Sequence, residues 1–87
     1  MNKYIGNMTV QLLLFGITKD IIGESPFPYE IDMGANAQDL LSKLVQDYPQ
    51  LSDLNSLALA VNGEYAEAGT PIAENDELAL IPPVSGG

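Results

Sequence analysis

The sequence predicts an α+β roll in which one main helix packs across one face of a mixed sheet. Two strand patterns come first, an amphipathic helix follows, and two or three short strands complete the 87 residues. The helical spacing of apolar residues near the middle is the firmest of these signals. In the simplest arrangement the first and last strands lie side by side and parallel at the centre of the sheet, with the helix in the crossover between them.

The first third of the chain predicts a strand, a short helix and a second strand. Alternating apolar residues predict a strand over Thr9–Phe15, which Gly16 ends. Residues 17–22 predict one or two helical turns. Two prolines make residues 24–28 a turn-rich loop. Alternation over Tyr29–Met33 then predicts a second strand, which pairs with the first as a hairpin.

The main helix is predicted from Ala37 to Tyr48, where apolar residues recur every three or four positions. Asn36 stands where an N-cap belongs, and Asp39 follows three residues later in a capping-box arrangement. Pro49 ends the helix.

The last third predicts short strands joined by turns. Residues 50–56 form a connection, and Leu57–Val61 is a third strand. The dipeptide Asn62-Gly63 is a strong hairpin signal, so residues 64–66 are expected to form a short return strand. A loop over 68–75 leads to the final strand, Glu77–Ile81.

Period-2 alternation assigns each strand residue to one of two sheet faces. The side facing the helix should carry Val10, Leu12, Leu14, Leu59, Val61, Leu78 and Leu80. The opposite side should carry Leu13, Phe15, Ala58, Ala60, Ala79 and Ile81. An uncovered apolar sheet face is typical of a docking surface, although scattered exposed apolar residues are also ordinary on soluble proteins.

The composition excludes several functions. There is no cysteine and no histidine, so thiol nucleophiles, disulfides and the commonest general base are missing. The formal net charge is −9, which disfavours nucleic acid and anionic membranes as partners and favours a basic protein. The acidity alone also confers solubility. No membrane span or signal peptide is evident, so a cytoplasmic location is predicted.

The chain divides into a short leader over residues 1–7, a domain over residues 8–81 and a tail over residues 82–87. The tail reads Pro82-Pro83-Val84-Ser85-Gly86-Gly87. The two prolines favour a stiff, extended spur, and the two glycines let the backbone enter a narrow channel. The one functional group at its tip is the α-carboxylate of Gly87, whose pKa of about 3.5 keeps it ionised and unreactive until another protein activates it. The alternative is a frayed chain end.

The chain resembles the ubiquitin-like sulfur carriers, which have the β-grasp fold. It shares with them the order of elements, the turn Val61-Asn62-Gly63 and the ending from Asn75 to Gly87. More narrowly, they resemble the small subunits of molybdopterin synthase, which typically end in Pro-Pro-Val-Ser-Gly-Gly or Pro-Pro-Val-Thr-Gly-Gly. The resemblance covers about Met8 to Gly87.

The resemblance implies a two-stage sulfur cycle. An E1-like activating enzyme uses ATP to adenylate Gly87, and a sulfurtransferase supplies the sulfur that converts it to a thiocarboxylate. The carrier then docks on the large synthase subunit, within a heterotetramer, and gives its sulfur to cyclic pyranopterin monophosphate for the molybdenum cofactor. The carrier is thus the sulfur-donating, non-catalytic subunit of a sulfurtransferase, with no bound cofactor, no metal and no activity alone.

The resemblance also assigns roles to single residues. Gly87 is the covalent sulfur site and Gly86 its companion, and Phe15, Tyr65 and Ile81 match the positions that dock on the large subunit. Tyr65 is equally well explained as a cross-strand packing residue. Two departures stand out: Lys19 replaces a frequent arginine, and Asn75 replaces a glycine before the last strand, where asparagine also tolerates a left-handed turn.

Two other functions stay open, together with one question about a possible metal site. The same fold serves carriers for thiamine thiazole synthesis or other sulfur pathways, although those carriers usually lack the Pro-Pro-Val lead-in. A ubiquitin-like modifier, joined to lysines through Gly87, starts from the same acyl-adenylate. Separately, the adjacent acids Asp76 and Glu77 are either a hard-cation site or, more simply, a solvated turn.

Overall fold

The computed structural model describes residues 6–54 and 57–82 and confirms the α+β roll. The elements are β1 (Asn7–Leu14), α1 (Gly16–Ile22), β2 (Phe27–Asp32), α2 (Ala37–Asp47), a 3-10 helix (Pro49–Asp53), β3 (Ala58–Val61), β4 (Glu64–Tyr65) and β5 (Leu78–Ile81). One five-stranded sheet has the order β2-β1-β5-β3-β4. Across residues 6–54 and 57–82, no helix has the length and apolar character needed to cross a membrane.

The centre of the sheet is the predicted parallel pair of β1 and β5. Leu12, Leu13 and Leu14 lie opposite Leu78, Ala79 and Leu80. Strand β3 runs antiparallel along the other side of β5, so β5 is paired along both edges. The strand that leads into the tail is therefore the central strand of the sheet, with a partner on each side.

The core lies between α2 and the sheet face predicted to meet it. Of the seven residues predicted for that face, six are buried and Val61 is half-buried. The strands β1 and β2 and helix α2 add a second set of buried apolar residues: Met8, Tyr29, Ile31, Ala37, Leu40 and Leu44. Burial of this apolar area is the main stabilising contribution to the fold.

The predicted cap of the main helix is confirmed. The Asn36 side chain accepts a hydrogen bond from the Asp39 N–H at 2.9 Å, and the Asp39 carboxylate accepts one from the Asn36 N–H at 3.0 Å. The N–H groups of Ala37 and Gln38 donate to carbonyls of the loop after β4, at Thr70 and Ala68. This loop is thereby held against the start of α2, and the first-turn N–H groups of the helix are satisfied.

Two strands begin two residues earlier than predicted. Strand β1 begins at Asn7, two residues early, because Asn7 pairs with Asp32 and the Gly6 carbonyl accepts from the Met33 N–H. Strand β2 begins at Phe27 and includes Pro28, which was predicted to lie in a loop. The reason is that β2 is an edge strand, where a proline without an N–H removes no bond that the sheet needs.

The connection after α2 contains a 3-10 helix, Pro49–Asp53, that was not predicted. Pro49 ends α2 and also begins this helix, as proline is suited to a first helical position. Leu51 is only 1% exposed and adds to the core. The short helix therefore closes one end of the core.

A side-chain cluster fixes β2 to α2. The Tyr29 hydroxyl donates to the Asp47 carboxylate, and the Lys43 ammonium lies 4.8 Å from the Tyr29 ring centroid and 3.5 Å from the carboxylate. Burial and the bond to Asp47 raise the pKa of Tyr29 above its ordinary range. The same bond lowers the pKa of Asp47, and Lys43 adds to that effect.

Candidate functional site

The sheet face turned away from α2 carries a continuous apolar surface, which we call the outer patch. Strand alternation places its members there, since their neighbours along each strand point into the core. Its members are Leu13, Phe15, Ala58, Ala60, Tyr65, Ala79 and Ile81. The structure thus places all the predicted docking residues on one face, while their role in docking stays a prediction.

One row of the outer patch crosses four strands. Leu13 lies opposite Ala79, Ala79 opposite Ala60, and Ala60 opposite Tyr65. Because alanine side chains are small, the surface is lower in the middle of this row than at its two ends. Leu13 stands at one end, and Tyr65, which is 73% exposed, stands at the other. A second pair, Ile81 and Ala58, lies beside this row, toward the tail. The result is a shallow apolar surface with larger side chains at its borders.

Phe15 borders the outer patch next to the tail. It follows Leu14, which lies opposite Leu80, so it stands one residue beyond that pair and level with Ile81. Its side chain is 49% exposed, which is unusual for a phenylalanine at the end of a central strand. An exposed aromatic ring beside the tail is a feature typical of a protein interface.

The rest of the same sheet face is polar and acidic. On β2, Glu30 and Asp32 are exposed and lie opposite Thr9 and Asn7 of β1. The face is therefore divided into an apolar half beside the tail and an acidic half away from it. A partner with an apolar surface and a neighbouring basic surface would match this division.

The tail leaves the sheet beside Gly16. Strand β5 ends at Ile81, and Pro82 is half-buried. A Cβ atom added at Gly16 would lie 3.7 Å from Cγ of Pro82, an ordinary contact distance. Gly16 itself has a φ of +55°, in the left-handed region that favours glycine. The predicted tail residues Pro83, Val84, Ser85, Gly86 and Gly87 lie outside the described residues.

Replacing Gly16 with alanine is expected to lower the free energy of unfolding by about 1–2 kcal/mol, because its φ is strained for a residue with a Cβ. Chemical denaturation measures this difference. Gly69→Ala is the matched control, since Gly69 has open space around it and lies outside the left-handed region. Equal stability of the Gly16→Ala variant and the parent would contradict the expected strain.

Two polar residues that sequence reasoning missed hold Phe15 in position. The Thr18 hydroxyl is fully buried; it donates to the Phe15 carbonyl at 2.6 Å and accepts from the Phe15 N–H at 3.1 Å. The Ser25 hydroxyl accepts from the Leu14 N–H at 2.9 Å. These hydrogen bonds fix the backbone where β1 turns into α1. The only available signal was a threonine three residues after a strand end, which is typical of helix starts in general.

The carboxylate of Asp76 takes part in the structure of a turn. One Asp76 oxygen accepts from the Ala73 N–H at 2.7 Å, and the other accepts from the Asn62 side chain at 3.0 Å. Both bonds lower the pKa of Asp76, that from Ala73 more strongly. Among residues 6–54 and 57–82, no group of three or more ligating side chains could hold a metal ion. Asn62 is the one non-glycine residue of those ranges with positive φ, so the left-handed turn lies there and not at Asn75.

Comparison with known proteins agrees with this architecture. The model of the ThiS family matches residues 12–87. The chain is 33% identical over 82 residues to the molybdopterin synthase sulfur carrier subunit of Arabidopsis thaliana, covering 93% of this chain and 85% of that protein. It is 40% identical over 81 residues to the protein of the same name in Dictyostelium discoideum, covering 88% of this chain and 94% of the other.

A solved structure gives the same result for the fold. The crystal structure of SAMP1 from Haloferax volcanii matches with a TM-score of 0.72 and 33% identity. The match covers 94% of this chain and 100% of the other. The ubiquitin-like β-grasp fold implied by the sequence resemblance is therefore confirmed.

Proposed function

We propose that this chain, which belongs to the ThiS family, is the sulfur carrier subunit of a cytoplasmic molybdopterin synthase. The relatives from Arabidopsis and Dictyostelium bear that function in their names. The observation that carries the proposal is the placement of the outer patch beside the exit of the tail. The outer patch and Pro82, the first residue of the tail, meet there at the end of the central strand β5.

The chemistry begins at the Gly87 carboxylate. An ionised carboxylate is a poor electrophile, so its oxygen first attacks the α-phosphorus of ATP, bound by an activating enzyme, and pyrophosphate leaves. Sulfide supplied by a sulfurtransferase then attacks the carbonyl carbon, the bond to AMP breaks, AMP leaves, and a thiocarboxylate remains. The chain has no histidine or cysteine of its own. The acid–base groups for both steps are therefore assigned to the partner proteins.

The second stage is docking and sulfur donation. Phe15, Ile81 and Tyr65 contact the large subunit through the outer patch, and the glycine tip enters its active site. There, the thiocarboxylate sulfur bonds to a carbon of cyclic pyranopterin monophosphate. Water then cleaves the bond between this sulfur and the Gly87 carbonyl carbon, which leaves the sulfur on the pterin and restores the carboxylate. The acidic half of the same sheet face favours a basic surface on the large subunit, as expected for a subunit that binds a phosphorylated substrate.

The intact mass of the protein tests the proposal. After incubation with host lysate, ATP and a sulfur source, we expect a mass gain equal to the exchange of one oxygen for sulfur. The gain should be absent without ATP, because the carboxylate then remains unactivated. Subsequent addition of the large subunit and the pyranopterin precursor should remove the sulfur, and either one alone should not. An unchanged mass in a lysate that loads another carrier would contradict the proposal.

A second function is favoured by the likeness to SAMP1, since the small archaeal modifier protein 1 of Haloferax volcanii is 34% identical over 83 residues. The same acyl-adenylate can react with a lysine amine of another protein and form an isopeptide bond. Conjugates that survive denaturation and require Gly87 would support this modifier role. Their absence, together with sulfur loading, would leave the carrier role alone.

A further inference from the structure

Asn62 is the one asparagine in this sequence that a glycine follows. Asparagine is thermolabile because the next backbone nitrogen can attack the side-chain carbonyl carbon. Ammonia leaves as a succinimide ring closes, and water then opens the ring to aspartate or isoaspartate. Gly63 has no side chain to shield its nitrogen, so this pair is chemically the most reactive of its kind in the chain.

In the folded protein, the Asn62 amide is bonded on both sides. Its oxygen accepts from the Glu77 N–H at 2.9 Å, and its nitrogen donates to the Asp76 carboxylate at 3.0 Å. The Asn62 backbone N–H also donates to the Glu77 carbonyl at 2.8 Å. These three bonds, which we call the amide clamp, join the β3–β4 turn to the start of β5.

Only an amide can form the whole amide clamp. The position must offer an acceptor to a backbone N–H and a donor to a carboxylate, and an ionised aspartate is an acceptor only. Hydrolysis of the Asn62 amide would therefore place a second carboxylate against Asp76. It would remove one hydrogen bond and add a like-charge repulsion at the same place.

We propose that Asn62 is a deamidation site that the amide clamp shields in the folded protein. The side chain must leave both partners before its carbonyl carbon can reach the Gly63 nitrogen, so the reaction proceeds from an opened turn. The product cannot rebuild the clamp. Isoaspartate also lengthens the backbone within a two-residue turn, which breaks the register of β3 and β4. Deamidation is thus a one-way change that weakens the attachment of the turn to β5.

The rate in the folded state tests the shielding. The protein is incubated at mildly alkaline pH with and without denaturant, and deamidation at each asparagine is followed by peptide mass mapping. At Asn62, the rate in the folded protein should be lower on the order of tenfold or more. Asn36, which alanine follows, serves as an internal control of low reactivity. Equal rates at Asn62 in both conditions would overturn the shielding.

Substitutions test the effect of the product. Asn62→Asp should lower the melting temperature by about 4–8 °C, because it removes one hydrogen bond and adds a like-charge repulsion. The double variant N62D/D76N exchanges donor and acceptor, since the amide at position 76 can donate to the carboxylate at position 62. It should recover most of the loss. If Asn62→Asp is as stable as the parent, or if the exchange recovers nothing, the proposed role of the clamp is wrong.

Discussion

Deleting Gly86 and Gly87 is expected to abolish sulfur loading completely while leaving the stability of the domain unchanged. The deletion removes the carboxylate from the position where an activating enzyme would bind it. Within residues 6–54 and 57–82, the buried apolar core residues lie between Met8 and Leu80, so the deletion alters none of them. Intact-mass measurement after ATP-dependent loading measures the sulfur gain, and a thermal melt of the same preparation measures the stability.

Ser85→Ala is the matched control for this deletion, because it changes the tail but keeps its length and its two terminal glycines. It should load sulfur as the parent does. A truncated protein that still gains the mass of one sulfur would place the covalent site elsewhere and would refute the proposed role of Gly87.

Neighbouring residues of β5 should separate docking from folding. Ile81 belongs to the outer patch, whereas Leu80 is fully buried against α2. Ile81→Asp is expected to weaken binding to the large subunit about 100-fold, because it places a charge in an apolar contact, with a stability loss of about 1 kcal/mol. Leu80→Ala should cost about 2–5 kcal/mol of stability through the cavity that it leaves.

Calorimetric titration with the large subunit and denaturant unfolding measure these two effects. At temperatures where Leu80→Ala remains folded, its affinity should be close to that of the parent, since its side chain does not reach the outer patch. Unchanged affinity of the Ile81→Asp variant would show that the outer patch is not the docking surface. Tyr65→Ala then decides whether Tyr65 belongs to the interface or packs only within the sheet.

Much of the fold was predictable because it depends on local periodicity. Alternation in β1 and β5 assigned Leu13 and Ile81 to the outer face, and the helical spacing located α2 together with its cap at Asn36. The parallel pairing of β1 and β5 followed from the helix between the strands, since parallel strands need such a crossover.

What the sequence did not reveal depends on contacts between distant residues. The bonds from Asn62 to Asp76 and Glu77 span 14 and 15 positions, so no local pattern indicates them. The same holds for the approach of Gly16 to Pro82. Strand β2 was predicted too short because its edge position, which makes Pro28 acceptable, follows only from the strand order.

The position of β5 between two partners also decides how the domain responds to mechanical load. A pull on the tail along the axis of β5 would strain the hydrogen bonds of β5 to β1 and to β3 in shear, all at the same time. Strand β4, which pairs at only two positions on the sheet edge, could instead be unzipped one bond after another. A partner that pulls the tail along this axis therefore loads a strand that resists extraction better than the edge strand β4 does.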